Sequence, residues 1–210
     1  MKPLYGTHFG LPEAPFSLAP DPRFLYLSPG HEEALAHLRW GLAQAGAFVV
    51  LTGEVGTGKS TVLAALLEDL PKSTAVAYVL NPRASVPALL ASIARDFGFT
   101  ARSAPAGAPA GAPAGAPNRS PGEAEDLMEW LYEGLLTLHG DGKEALLLID
   151  EAQLLSAEAL EQLRLLTNLE TRERKLLQII LVGQPELRDT LAQAELRQLA
   201  QRITARYHLE

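Results

Sequence analysis

The 210-residue sequence contains no cysteine. That excludes disulfides, thiol nucleophiles and thiolate metal ligands, and it fits a reducing compartment. Long apolar runs are missing too. None approaches the ~18 residues of a membrane-spanning helix, and the longest, "AFVVL" and "LLQIILV", are strand-sized. The N-terminus "MKPLYGTHFGLPEAPFSLAP" lacks the apolar stretch of a secretory signal. Positive charge is short: 18 Lys and Arg stand against 25 Asp and Glu, a net of −7. Broad electrostatic binding to nucleic acid needs clustered cations and is therefore disfavoured, although a local basic patch remains compatible. The expectation is a soluble, cytoplasmic chain. Hydrophobic residues make up 47% of it, enough for one α/β domain with a sizeable core.

Residues 1–30 form an arm rich in proline and aromatics, "PFSLAPDPRFLYLSPG". Repeated proline prevents a regular helix or central strand, so the arm is expected to pack on the domain. Residues 31–210 read as that domain. "HEEALAHLRWGLAQAG" has the pattern of an amphipathic helix ending at Gly46. Four apolar strand candidates follow, "AFVVLTG", "TAVAYVL", "EALLLIDE" and "KLLQIILVG", alternating with helical segments, and "ITARYHLE" forms a terminal strand. One helix, "SVPALLASIARDFG", carries Ser85 as its cap, Pro87 in its first turn and Gly98 at its stop. Alternation of this kind implies a mainly parallel sheet covered on both faces. The period-four tract "APAGAPAGAPAGAP" has no large apolar side chain and cannot offset its ordering entropy. It reads as a flexible insertion over 101–121.

"LTGEVGTGKST", residues 51–61, is built to hold phosphate. Gly53, Glu54, Val55, Gly56, Thr57, Gly58, Lys59 and Ser60 fit G-x-x-x-x-G-K-[ST], and Thr61 follows. The motif leaves an expected strand and opens an expected helix, the context it requires. Successive backbone N–H groups form an anion cradle, Lys59 reaches the β- and γ-phosphates, and the Ser60 hydroxyl can ligate Mg²⁺. An ordinary glycine-rich turn is the plain alternative, and the strand–helix context argues against it.

"LLLIDEAQ", 146–153, is four apolar residues and then Asp150-Glu151. Alone, it would be a strand end with solvated acids. Beside a phosphate loop, Asp150 is placed to support the Mg²⁺ shell and Glu151 to polarise a water against the γ-phosphate.

With both motifs in place, the chain resembles AAA+ ATPases of the ExeA/GspA type, which are associated with bacterial type II secretion and related pilus systems. The resemblance spans nearly the whole chain. It rests on "PFSLAPDPRFLYLSPGHEEAL", "VVLTGEVGTGKST", "LLLIDEAQLLS", "LRLLTNLET", "LLQIILVGQPEL" and "LRQLAQRITARYHL". It implies a three-layer αβα P-loop core whose five-stranded, mainly parallel sheet runs in the order 5-1-4-3-2. ATP and Mg²⁺ are the implied cofactors. Gln184 falls at the sensor-1 position, where AAA+ proteins often carry Asn or Thr. Arg202, with Arg197 as its rival, falls at the arginine-finger position, acting on a neighbouring subunit's site in a ring, of which a hexamer is one form. Residues 20–27 of the arm are implied to lie near the adenine. The implied task is energising or assembling secretion or pilus machinery, its secretin included, at the inner face of the cytoplasmic membrane.

Two other readings stay open: a DNA-associated AAA+ regulator of the transposition type, and a nucleotide-gated interaction module with little turnover. The basic cluster "TRERK", 171–175, reads as a solvated loop or a contact surface. AAA+ cores normally continue into a helical lid after the fifth strand, so tight closure and efficient turnover are expected to draw on residues beyond Glu210.

Overall fold

The computed structural model describes residues 8–10, 26–44, 47–82, 85–99, 124–169 and 175–210. Most of the N-terminal arm, the insertion at 101–121 and residues 171–174 of the basic cluster lie outside the described residues.

Helix α1 (Pro29–Ala43) leads into β1 (Phe48–Gly53), α2 (Lys59–Asp69), β2 (Thr74–Val79) and α3 (Val86–Asp96). After α4 (Ala124–Gly140) come β3 (Glu144–Ile149), a 3₁₀ turn over Ala152–Leu154, α5 (Ala157–Leu166) and β4 (Leu177–Gly183). The last segment holds α6 (Glu186–Leu191), a 3₁₀ turn over Ala194–Leu196, α7 (Arg197–Ala200) and β5 (Ile203–Leu209). Helix α1 starts at Pro29, two residues before the sequence expectation, because Ser28 caps it and proline is favoured in the first turn. Ser85 does precede α3, but its side chain makes no capping hydrogen bond.

The five strands form one sheet in the order β2-β3-β4-β1-β5, the expected 5-1-4-3-2 read from the other edge, and all four pairings are parallel. Buried side chains alternate along each strand. Val49 and Leu51, Leu146 and Leu148, and Ile180 and Val182 face α1 and α2, meeting Leu35, Leu38, Leu63 and Leu66. Phe48 and Val50, Leu147 and Ile149, and Ile179 and Leu181 face the other layer, meeting Leu90, Leu131 and Leu163. Burial on both faces is why β1 and β4 read as continuous apolar runs rather than as alternating ones. Each fully buried Leu or Ile contributes about 1.5–3 kcal/mol, and both layers draw on the central strands. The carboxyl ends of β1, β3 and β4 are thereby fixed side by side.

Candidate functional site

Three chain segments leave the same edge of the sheet, where open parallel sheets bind ligands. The first is the phosphate loop between β1 and α2. Gly56 and Gly58 take φ of 87° and 91°, which glycine adopts without steric cost. Gly58 is also the residue that caps α2, and no side chain caps the helix there. The amides opening α2 belong to Lys59 and Ser60, and first-turn amides have no intrahelical acceptor. That leaves a positive helix end facing the loop, suited to an anion. The Lys59 ammonium bonds the carbonyls of Gly53 and Glu54, both at 2.7 Å. Thr57 ties the loop with its hydroxyl donating to the Glu54 carbonyl at 2.9 Å. Ser60 is exposed.

The second segment follows β3. Asp150 Oδ1 accepts the Glu151 N–H at 2.9 Å, and Oδ2 accepts the Tyr78 hydroxyl at 3.3 Å. Tyr78 sits on β2. Its burial, then the Asp150 charge and hydrogen bond, push its pKa up to about 12. Asp150 thus lies one strand beyond β4 from the loop strand. Glu151 has φ 52° and ψ 37°, the left-handed region that costs a non-glycine residue about 1–3 kcal/mol. Among the described residues no other non-glycine has positive φ. The strained residue turns the chain out of β3 and into the 3₁₀ turn, where the Leu154 N–H bonds the Glu151 carbonyl at 2.9 Å.

The third segment follows β4. Gln184 Nε2 donates to Glu151 Oε2 at 3.2 Å. Gln153, from the 3₁₀ turn, binds both partners: its Nε2 donates to Glu151 Oε2, and its Oε1 accepts the Gln184 N–H at 3.0 Å. A Cβ on Gly183 would stand 2.7 Å from Gln153 Oε1, so this strand end accepts only glycine without moving Gln153.

Asp150, Glu151 and Gln184 therefore come together, and Lys59 and Ser60 open α2 at the same sheet edge. Arg202 is used elsewhere. Its Nη1 donates to the Thr167 hydroxyl at 3.0 Å and to the Arg164 carbonyl at 3.3 Å, at the C-terminal end of α5. Thr167 is fully buried, so Arg202 caps α5 from within the same chain. Arg197 is exposed on α7. Of the arm residues assigned to adenine, only Tyr26 and Leu27 are described, and Tyr26 is exposed. Gln153, Tyr78 and His31 join the site without a role assigned from either motif, and the His31 imidazole meets the Thr57 carbonyl at 2.9 Å. A polar residue inside "DEAQLL" and the spacing Ser28–His31 at a helix start were the available signals.

A strand, a glycine-rich loop and an uncapped helix, with an acidic strand end one strand further on, define a P-loop nucleotide-binding core. The family model described as an AAA domain matches residues 42–191, and the chain belongs to that family. The chain is 50% identical over 98% of its length to General secretion pathway protein A of Aeromonas hydrophila, spanning 35% of that relative. Solved structures share the fold. Cdc6p from Pyrobaculum aerophilum superposes with a TM-score of 0.61 at 17% identity, covering 92% of this chain and 48% of that one. The Aeropyrum pernix ORC1 protein, solved in complex with DNA, gives a TM-score of 0.60 at 18% identity over 88% of this chain and 46% of that one. No helix among the described residues is long and apolar enough to cross a membrane.

Proposed function

We propose that this chain is a Mg²⁺-dependent ATP-hydrolysing core that drives assembly or operation of secretion or pilus machinery. The observation that carries hydrolysis, rather than holding alone, is Glu151. A strained residue kept in place by two side-chain amides, next to a metal-type Asp, is what a water-activating carboxylate needs.

The residues fit a nucleoside triphosphate with its cation. The uncapped α2 start and the glycines of the loop accept phosphate oxygens. Ser60 and Asp150 supply hard oxygen donors of the kind magnesium takes. When bound, the cation neutralises charge on the β- and γ-phosphates. Lys59 exchanges its two loop carbonyls for phosphate oxygens, so the ammonium keeps oxygen acceptors in both states. Glu151 orients the attacking water and draws its proton. Gln184 reads the γ-phosphate or holds that water, while Gln153 bonds the Glu151 carboxylate and the Gln184 backbone N–H and so ties the two segments together. Arg202, or Arg197, of a neighbouring copy completes the site in a ring. For Arg202, that role requires exchange of its α5 contacts for the neighbour's phosphate.

The 50% identity to a general secretion pathway protein supports the secretion task; the inner face of the cytoplasmic membrane is the place we propose for it. It favours that task over a DNA-associated regulator, as does the net charge of −7. Phosphate release by wild type and Glu151→Gln tests the reading. Release that falls at least about 100-fold in the variant, with ATP binding kept, is expected. Equal release sinks the Glu151 role, no release from wild type leaves a binding module, and release that requires DNA favours the regulator.

A further inference from the structure

The outer side of the phosphate loop is braced by a residue of another element. His31 is the third residue of α1, and its Nε2 lies 2.9 Å from the Thr57 carbonyl oxygen. On the other side of the ring, Nδ1 is met by the Ser28 N–H at 3.3 Å and the Ser28 hydroxyl at 2.8 Å. A carbonyl can only accept, so Nε2 carries a proton. A backbone N–H can only donate, so Nδ1 carries none. The neutral Nε2–H tautomer satisfies both ends of the ring. Ser28 caps α1 by accepting the His31 N–H, so backbone and ring are fixed together.

The Thr57 carbonyl and the Gly58 N–H belong to one trans peptide unit and point in opposite directions. Holding that carbonyl on His31 therefore turns the Gly58 N–H away from the ring. A second observation agrees. A Cβ on Gly58 would stand 2.5 Å from His31 Nε2, so the ring lies against the loop at a residue whose φ is 91°. The motif's glycine at 58 answers to its backbone angle and to this ring.

We infer that His31 is a positioning residue for the triphosphate: its Nε2–H aims the Gly58 amide at the phosphate and ties the loop to α1. The inference rests on the nucleotide-binding reading above. A group that presets the cradle acts on substrate and transition state alike, so its loss should raise KM and leave kcat nearly unchanged. A merely structural role would instead lower the active fraction and leave KM alone.

The test compares MgATP binding by calorimetry, steady-state ATPase kinetics and thermal melts for wild type, His31→Ala, His31→Gln and Lys59→Ala. His31→Ala should bind MgATP about tenfold more weakly, the effect of one lost hydrogen bond. His31→Gln, whose amide can donate in place of Nε2–H, should recover most of the affinity. If His31→Ala does not fold, His31→Leu keeps the bulk without the donor and should show the same loss. Wild-type affinity in either folded donor-free variant overturns the inference, as does a His31→Gln no better than His31→Ala. Wild type that binds no better than Lys59→Ala overturns the nucleotide reading itself, and the inference with it.

Discussion

Removing the Gln153 side chain should cripple turnover without weakening nucleotide binding. Gln153 makes two hydrogen bonds at the site. One goes to the Glu151 carboxylate and the other accepts the Gln184 N–H at 3.0 Å. A hydrogen bond to a charged group contributes about 1.5–3 kcal/mol, and a part-buried N–H left without its acceptor costs about 1–3 kcal/mol. The Glu151 backbone sits in a strained region, so the aim of its carboxylate draws on the side chains that bond it. In Gln153→Ala, the carboxylate keeps the longer bond from Gln184, at 3.2 Å. A displacement of about 1 Å at a reacting group can cost a hundredfold in rate. The expected result is a kcat lower by about 30–100-fold, with the Kd for MgATP within about twofold of wild type and a melting temperature lower by roughly 5–20 °C, since each kcal/mol shifts it by about 2–4 °C in a domain of this size. Gln153→Glu should be worse, because a second carboxylate would replace the amide donor beside Glu151. Coupled ATPase assays with binding measured separately give both numbers. A Gln153→Ala chain that turns over at the wild-type rate refutes the reasoning.

Gly183→Ala places a methyl 2.7 Å from Gln153 Oε1, so it should reproduce most of the Gln153→Ala defect in kcat, read in the same assay. Arg202→Ala removes two bonds to the end of α5 and should cost about 1–2 kcal/mol of stability in urea melts. Mixing folded Arg202→Ala with Lys59→Ala chains should then restore some turnover if Arg202 also serves a neighbour's site, because mixed assemblies regain intact interfaces. Tyr78 has a folded-state pKa raised from 10.0 to about 12, so its contribution is fully present below pH 10 and is lost as pH climbs toward 12. Wild type should lose more urea stability than Tyr78→Phe across that window, and parallel curves would count against the burial of the Tyr78 hydroxyl beside Asp150.

The element order was legible because its signals are local. Apolar runs of strand length alternate with helix-length segments, and "GEVGTGKS" and "LLLIDE" each mark a strand end within a few residues. The contacts between segments were not. Gln153 meets Gln184 across 31 residues and His31 meets Thr57 across 26, and neither spacing follows a helix or strand period. Glutamate is a poor marker for positive φ, so the turn at Glu151 left no trace in the sequence. Arg202 bonds a buried threonine 35 residues away, and no local pattern links the two.

Whether this fold hydrolyses ATP through Glu151 is decided most directly by rapid-quench measurement of phosphate released from pre-bound MgATP. Wild type and Glu151→Gln are compared at matched occupancy. Wild type should release phosphate, and the variant should hold intact ATP at least about 100 times longer. Release at equal rates from both, or from neither, contradicts the assignment.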